Sequence, residues 1–127
     1  MSPHRYTLVV EDNDDLRTVM EEALVADGRE VVAVRDGQAA LVALRSLDPP
    51  CLVLCDLRLP DLHGRAIVVE CQSTPRLAAT KVVVVTGLPE LAPAGVKVLT
   101  KPFDTHELLE LARQYCAGDG PQADRVP

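Results

Sequence analysis

Residues 6–24, YTLVVEDNDDLRTVMEEAL, decide how the chain folds, because the apolar pattern changes period within them. Tyr6 to Val10 form a continuous apolar run, the mark of a strand buried on both faces of a parallel sheet. Leu16, Val19, Met20, Ala23 and Leu24 then follow the i, i+3, i+4, i+7, i+8 spacing of an amphipathic helix, with Asp14 as the predicted N-cap and Gly28 as the stop. Between strand and helix stand Glu11, Asp12, Asp14 and Asp15. Two carboxylates about 5 Å apart repel by roughly 3 kcal/mol at an effective dielectric near 20, so such a cluster either points into water or holds a cation.

The same alternation continues along the chain. Further apolar runs occur at EVVAV (30–34), CLVLC (51–55), KVVVVT (81–86) and VKVLT (96–100). Between them, Ala40, Leu41, Leu44 and Leu47 form a helical stripe that Asp36 caps and Pro49 ends. Leu108, Leu111, Ala112 and Tyr115 form the last stripe, with Asp104 and Glu107 at capping-box spacing. RAIVVECQ, after Gly64, carries β-branched residues that favour a strand, yet its place between two strands makes it a helix. The expectation is an α/β fold, a doubly wound five-stranded parallel sheet with helices on both faces.

Composition narrows the function. The chain of 127 residues suits one domain, and its net charge of -6 repels nucleic-acid phosphate. Aromatics are confined to Tyr6, Phe103 and Tyr115, too few for a base-stacking platform. No apolar run reaches the roughly 18 residues of a membrane span, and the start lacks signal-peptide order, so a cytoplasmic protein without membrane contact is expected. Cys51, Cys55, Cys71 and Cys116 match no zinc spacing and read as buried free thiols. His4, His63 and His106 form no ligand set and read as surface residues.

In such sheets ligands bind beyond the carboxyl ends of the strands, where strand order reverses. Those ends are Glu11 and Asp12, Asp56, Thr86 and Lys101. Carboxylates in this number suit a hard divalent cation such as magnesium, or manganese in its place. Asp56 is placed to attack phosphorus as a carboxylate nucleophile, with Lys101 and Thr86 on the phosphoryl oxygens. Gly87 leaves that side open. Asp14 and Asp15 serve the helix start instead.

These residues, with DLRLPDLHG (56–64), TG (86–87) and KPF (101–103), closely resemble the response regulator receiver domain of two-component signalling, over about residues 5 to 116. The resemblance implies a CheY-like, flavodoxin-like three-layer sandwich. It implies that Asp56 accepts a phosphoryl group from a sensor histidine kinase or phosphotransfer protein, and that Glu11, Asp12, Asp56 and the Arg58 carbonyl bind the metal. Thr86 and Lys101 would sense the phosphoryl group, and Pro60 and Gly64 would shape the adjoining loop. Arg58 and Leu88 would border the path of attacking water, and the Lys101–Pro102 bond would be cis. The protein would be a signalling phosphoacceptor that assists its own phosphorylation and dephosphorylation, not an enzyme acting on other molecules.

The chain departs from the family in two places. Fourteen residues separate Thr86 from Lys101, and Pro89 and Pro93 lie among them, so a fourth helix between the last two strands has one or two turns or is absent. Val98 stands where the family often has a Tyr or Phe that swings with the Thr. Both changes fall on the face that commonly serves dimerisation or effector docking. Residues 1–116 are expected to form the domain and 117–127 a flexible tail or linker. Output would pass to a partner protein or to an attached module. Two alternatives are a receiver-like interaction module that works without phosphorylation, and a small phosphohydrolase or flavin carrier. The last lacks a Gly-rich phosphate cradle and an aromatic pair for a flavin ring.

Overall fold

The computed structural model describes residues 6–116. The expected tail, 117–127, and His4 lie outside the described residues. Five strands, β1 (Tyr6–Val10), β2 (Glu30–Val34), β3 (Leu52–Asp56), β4 (Lys81–Thr86) and β5 (Lys97–Thr100), form one parallel sheet in the order β2-β1-β3-β4-β5. Four helices connect or follow them: α1 (Asp14–Ala26), α2 (Gly37–Ser46), α3 (Arg65–Ser73) and α4 (Thr105–Tyr115). No helix among the described residues is long and apolar enough to cross a membrane.

Strand alternation splits the core into two layers. Val9, Leu52, Leu54, Val83 and Val85 point toward α1 and α4, where Met20, Leu24, Leu108 and Leu111 meet them. Leu8, Val10, Val53 and Cys55 point the other way, onto Ala40 and Leu44 of α2 and Ile67 of α3. All residues of β1 and β3 are buried, whereas the edge strands β2 and β5 are half-exposed. Burying one Leu or Val side chain contributes about 1.5–3 kcal/mol, and the burial of Ile67, Val68 and Cys71 holds α3 helical against the β-branched preference of Ile67, Val68 and the exposed Val69.

The caps follow the sequence reading with one correction. Asp36 accepts the Ala39 N–H at 2.8 Å, and Asp104 and Glu107 form the expected capping box. Gly28, at φ +84°, ends α1. The N-cap of α1, however, is Asn13 and not Asp14: Asn13 is extended at φ −75° and ψ 116°, and its Oδ1 accepts the Leu16 N–H at 2.8 Å. Asp14 is already inside the helix, where it pairs with Arg17 at 2.6 Å.

The cysteine reading is also corrected. Cys51 and Cys116 form a disulfide between residues 65 apart in sequence, while Cys55 and Cys71 are free and buried as expected. Cys51 precedes β3 and Cys116 ends α4, and both lie at the sheet's amino-terminal end with Cα atoms 5.4 Å apart. Spacing along the chain carries no trace of that approach.

Between β4 and β5 the backbone makes a single 3-10 turn, Pro89–Leu91. The shortened fourth helix is therefore present in its smallest form. Ala92 and Val96 cover Leu57, Val68 and Val84 in place of a full helix.

Candidate functional site

Sheet register brings the strand ends together. Val10 pairs with Cys55, so Glu11 follows β1 beside Asp56, the last residue of β3. Asp56 pairs with Val85 and Thr86 pairs with Thr100, so Thr86 and Lys101 complete a row along the same rim. The Lys101 N–H donates to the Thr86 carbonyl at 2.8 Å and continues the ladder past β5.

Three carboxylates converge there. Glu11, Asp12 and Asp56 each offer an oxygen within 4.8 Å of the other two. Glu11 and Asp56 are buried, at 1% and 8% exposure, while Asp12 faces solvent. The Lys101 ammonium donates to Glu11 Oε1 at 3.0 Å and to Asp56 Oδ2 at 3.1 Å, and so offsets part of the repulsion. Burial raises the Glu11 carboxyl above its ordinary range, although the Asn13 N–H and Lys101 oppose the shift. Burial alone would lower Lys101, but Glu11 and then Asp56 outweigh it and hold the ammonium more firmly protonated.

The remaining expected residues take their places around this cluster. Thr86 is buried, and its hydroxyl accepts the Leu88 N–H at 3.0 Å, which leaves its own proton free to donate. Gly87 has open space where a side chain would be. The Arg58 N–H donates to Asp56 Oδ1 at 3.2 Å, so the Asp56 carboxylate is held from both sides, with Lys101 on its other oxygen. Pro60 lies exposed in the loop after β3. Gly64 closes that loop against β3 so tightly that a Cβ would strike the Asp56 carbonyl oxygen. Lys101–Pro102 is cis. Val98 pairs with Val84 in β5, half-buried, with no ring to rotate. His63 and His106 are exposed surface residues.

Two contributors escaped the sequence reading. Arg17 donates from Nη1 to the Glu11 carbonyl at 2.9 Å, and the Asn13 N–H donates to Glu11 Oε2 at 3.1 Å. The spacing of Asp14 and Arg17 announces their pairing on one helix face, but nothing in the sequence announces Arg17's reach back to β1. Clefts of about 250 Å³, lined by Tyr6, Val31 and Leu47, and about 300 Å³, lined by Cys71, Leu77 and Val96, lie away from this rim.

A donor set of three carboxylate oxygens with a solvent-facing side fits a hard divalent cation that keeps some of its water.

Known proteins resemble this chain in sequence and in fold. The chain is 32% identical over 80% of its length to an uncharacterized transcriptional regulatory protein, YrkP, of Bacillus subtilis, of which it covers 45%. It is equally identical to a segment of the sensor histidine kinase TmoS of Ectopseudomonas mendocina, covering 11% of that protein. The chain thus spans less than half the length of these curated relatives. Among solved structures, the receiver domain of the sensor histidine kinase PA1611 from Pseudomonas aeruginosa, with a magnesium ion coordinated in its active-site cleft, superposes with a TM-score of 0.79 at 26% identity, over 90% of this chain and 98% of that one. The family model for the response regulator receiver domain matches residues 7–113, and this chain belongs to that family.

Proposed function

We propose that Asp56 accepts a phosphoryl group from a histidine kinase or phosphotransfer protein, and that the resulting change at the rim alters binding to a downstream partner or attached output module. The observation that carries this reading is the Lys101 ammonium bridging Glu11 and Asp56 within a cluster of three carboxylates. An Asp56 oxygen forms the new bond to phosphorus as the bond from phosphorus to the donor nitrogen breaks. Lys101 is placed to stay with the added negative charge, and the Thr86 hydroxyl to donate to a phosphoryl oxygen. Glu11, Asp12, Asp56 and the Arg58 carbonyl would hold Mg2+ or Mn2+, which supplies charge neutralisation at the transferring group. The net charge of -6 favours a protein partner over direct contact with nucleic acid.

The test is labelling with acetyl phosphate or a phosphorylated kinase. Label is expected only with Mg2+ and is expected to disappear in Asp56→Asn. A chain that binds Mg2+ without taking label would instead support an interaction module independent of phosphorylation, the reading favoured by Val98 and the single turn at Pro89–Leu91.

A further inference from the structure

The loop from Leu57 to Gly64 leaves β3 directly after Asp56 and is fastened at its base and at its tip. At the base, the Gly64 N–H donates to the Leu57 carbonyl at 2.7 Å, and Arg58 and His63 face each other in an antiparallel bridge. The first turn of this loop supplies the Arg58 N–H that holds Asp56 Oδ1. At the tip, Asp61 Oδ1 accepts the Gly37 N–H at 2.9 Å, and Asp61 Oδ2 accepts the Gln38 N–H at 2.8 Å. The carboxylate thus straddles the first turn of a helix 23 and 24 residues earlier in the chain. Leu62 adds an apolar contact beside it, so close to Gly37 that a Cβ there would collide with the Leu62 side chain.

Asp61 is not the cap of α2. Asp36 already fills that role through the Ala39 N–H. A second carboxylate reaching in from another element satisfies two further N–H groups and ties the loop to α2. α2 is itself held on the core by Ala40, Ala43 and Leu44. The tip of the loop is therefore anchored to a rigid element, and its base carries the group that orients Asp56.

We propose that Asp61 is a positioning residue for the Asp56 site: its two hydrogen bonds to the start of α2 hold the 57–64 loop so that Arg58 keeps its N–H on Asp56 and its carbonyl toward the bound cation. This rests on the reading of Asp56 as a metal-assisted phosphoacceptor. Asp61 touches neither phosphoryl group nor metal and acts through Arg58.

The experiment compares the full chain with Asp61→Ala, Asp61→Asn and Asp36→Ala, using amide hydrogen exchange, calorimetric titration with Mg2+, and labelling rate against Mg2+ concentration. In Asp61→Ala the Arg58 and Gly64 amides are expected to exchange faster, and Mg2+ to bind about tenfold more weakly, the usual scale for losing a group that orients a ligand. Labelling at saturating Mg2+ is expected to stay near the unsubstituted rate. Asp61→Asn retains one acceptor and should fall between. Asp36→Ala removes the cap of the same helix and should leave Mg2+ affinity unchanged. Unaltered loop exchange and Mg2+ affinity in Asp61→Ala would overturn the proposal, as would equal weakening in Asp36→Ala. An unsubstituted chain that takes up neither Mg2+ nor label would overturn the parent reading instead, and loop exchange in the variants would still test the hold of Asp61.

Discussion

At Glu11, Asp12, Asn13 and Asp14, neighbours in sequence divide into two tasks. Glu11 is buried and turned toward Lys101, and Asp12 joins it at the rim. Asn13 and Asp14 face the other way, to the start of α1 and to Arg17. Asp12→Ala is expected to abolish Mg2+-dependent labelling with little change in melting temperature. Asn13→Ala should keep the label and lose about 1 kcal/mol of stability in a denaturant titration. Equal loss of label in both variants would refute this division. The sequence showed which residues gather at the strand end, but not which of two adjacent polar residues is extended and which is helical. One dihedral angle separates a cap from a first-turn residue, and both types suit either position.

At the scale of elements, α1 and α4 are joined by charge as well as by apolar packing. Asp27, just past α1, pairs with Arg113 of α4 at 2.8 Å and with Arg29 at 3.2 Å. The hydrogen bond from Arg113 holds the Asp27 carboxyl below the ordinary range; burial opposes it and Arg29 adds to it. A carboxyl with a depressed folded-state pKa contributes stability that is present above its unfolded value and lost as pH falls through the folded one. Asp27→Asn should therefore cost about 1 kcal/mol near neutral pH and flatten the loss of stability below about pH 4, read by thermal melts across pH. The single turn between β4 and β5 bears on output in the same way. With one 3-10 turn in place of a helix and Val98 in place of a ring, beryllofluoride-treated protein is expected to sediment as it does untreated. A beryllofluoride-dependent dimer built on the face of β5 and α4 would show this expectation to be wrong.

For the molecule as a whole, the Cys51–Cys116 disulfide closes the amino-terminal end of the sheet, opposite the acidic rim. Arg29 reinforces that end by donating to the Cys116 carbonyl at 3.1 Å. Replacing both cysteines by Ser should lower stability by about 2–4 kcal/mol under non-reducing conditions while leaving labelling of Asp56 intact. Equal stability of the two proteins after reduction would assign the whole difference to the cross-link. The strands, α1, α2 and α4, the shortened connection between β4 and β5, and the residues that end each strand were legible along the chain, because periodicity, proline and strand-end chemistry are local; α3 was legible only from its place between two strands. Tertiary structure alone decided the cysteine pair, the cap of α1, the double contact of Lys101, and the hold of Asp61 on α2. Each depends on groups from different elements meeting at hydrogen-bond or covalent distance, and a linear pattern does not record which ends of the layers touch.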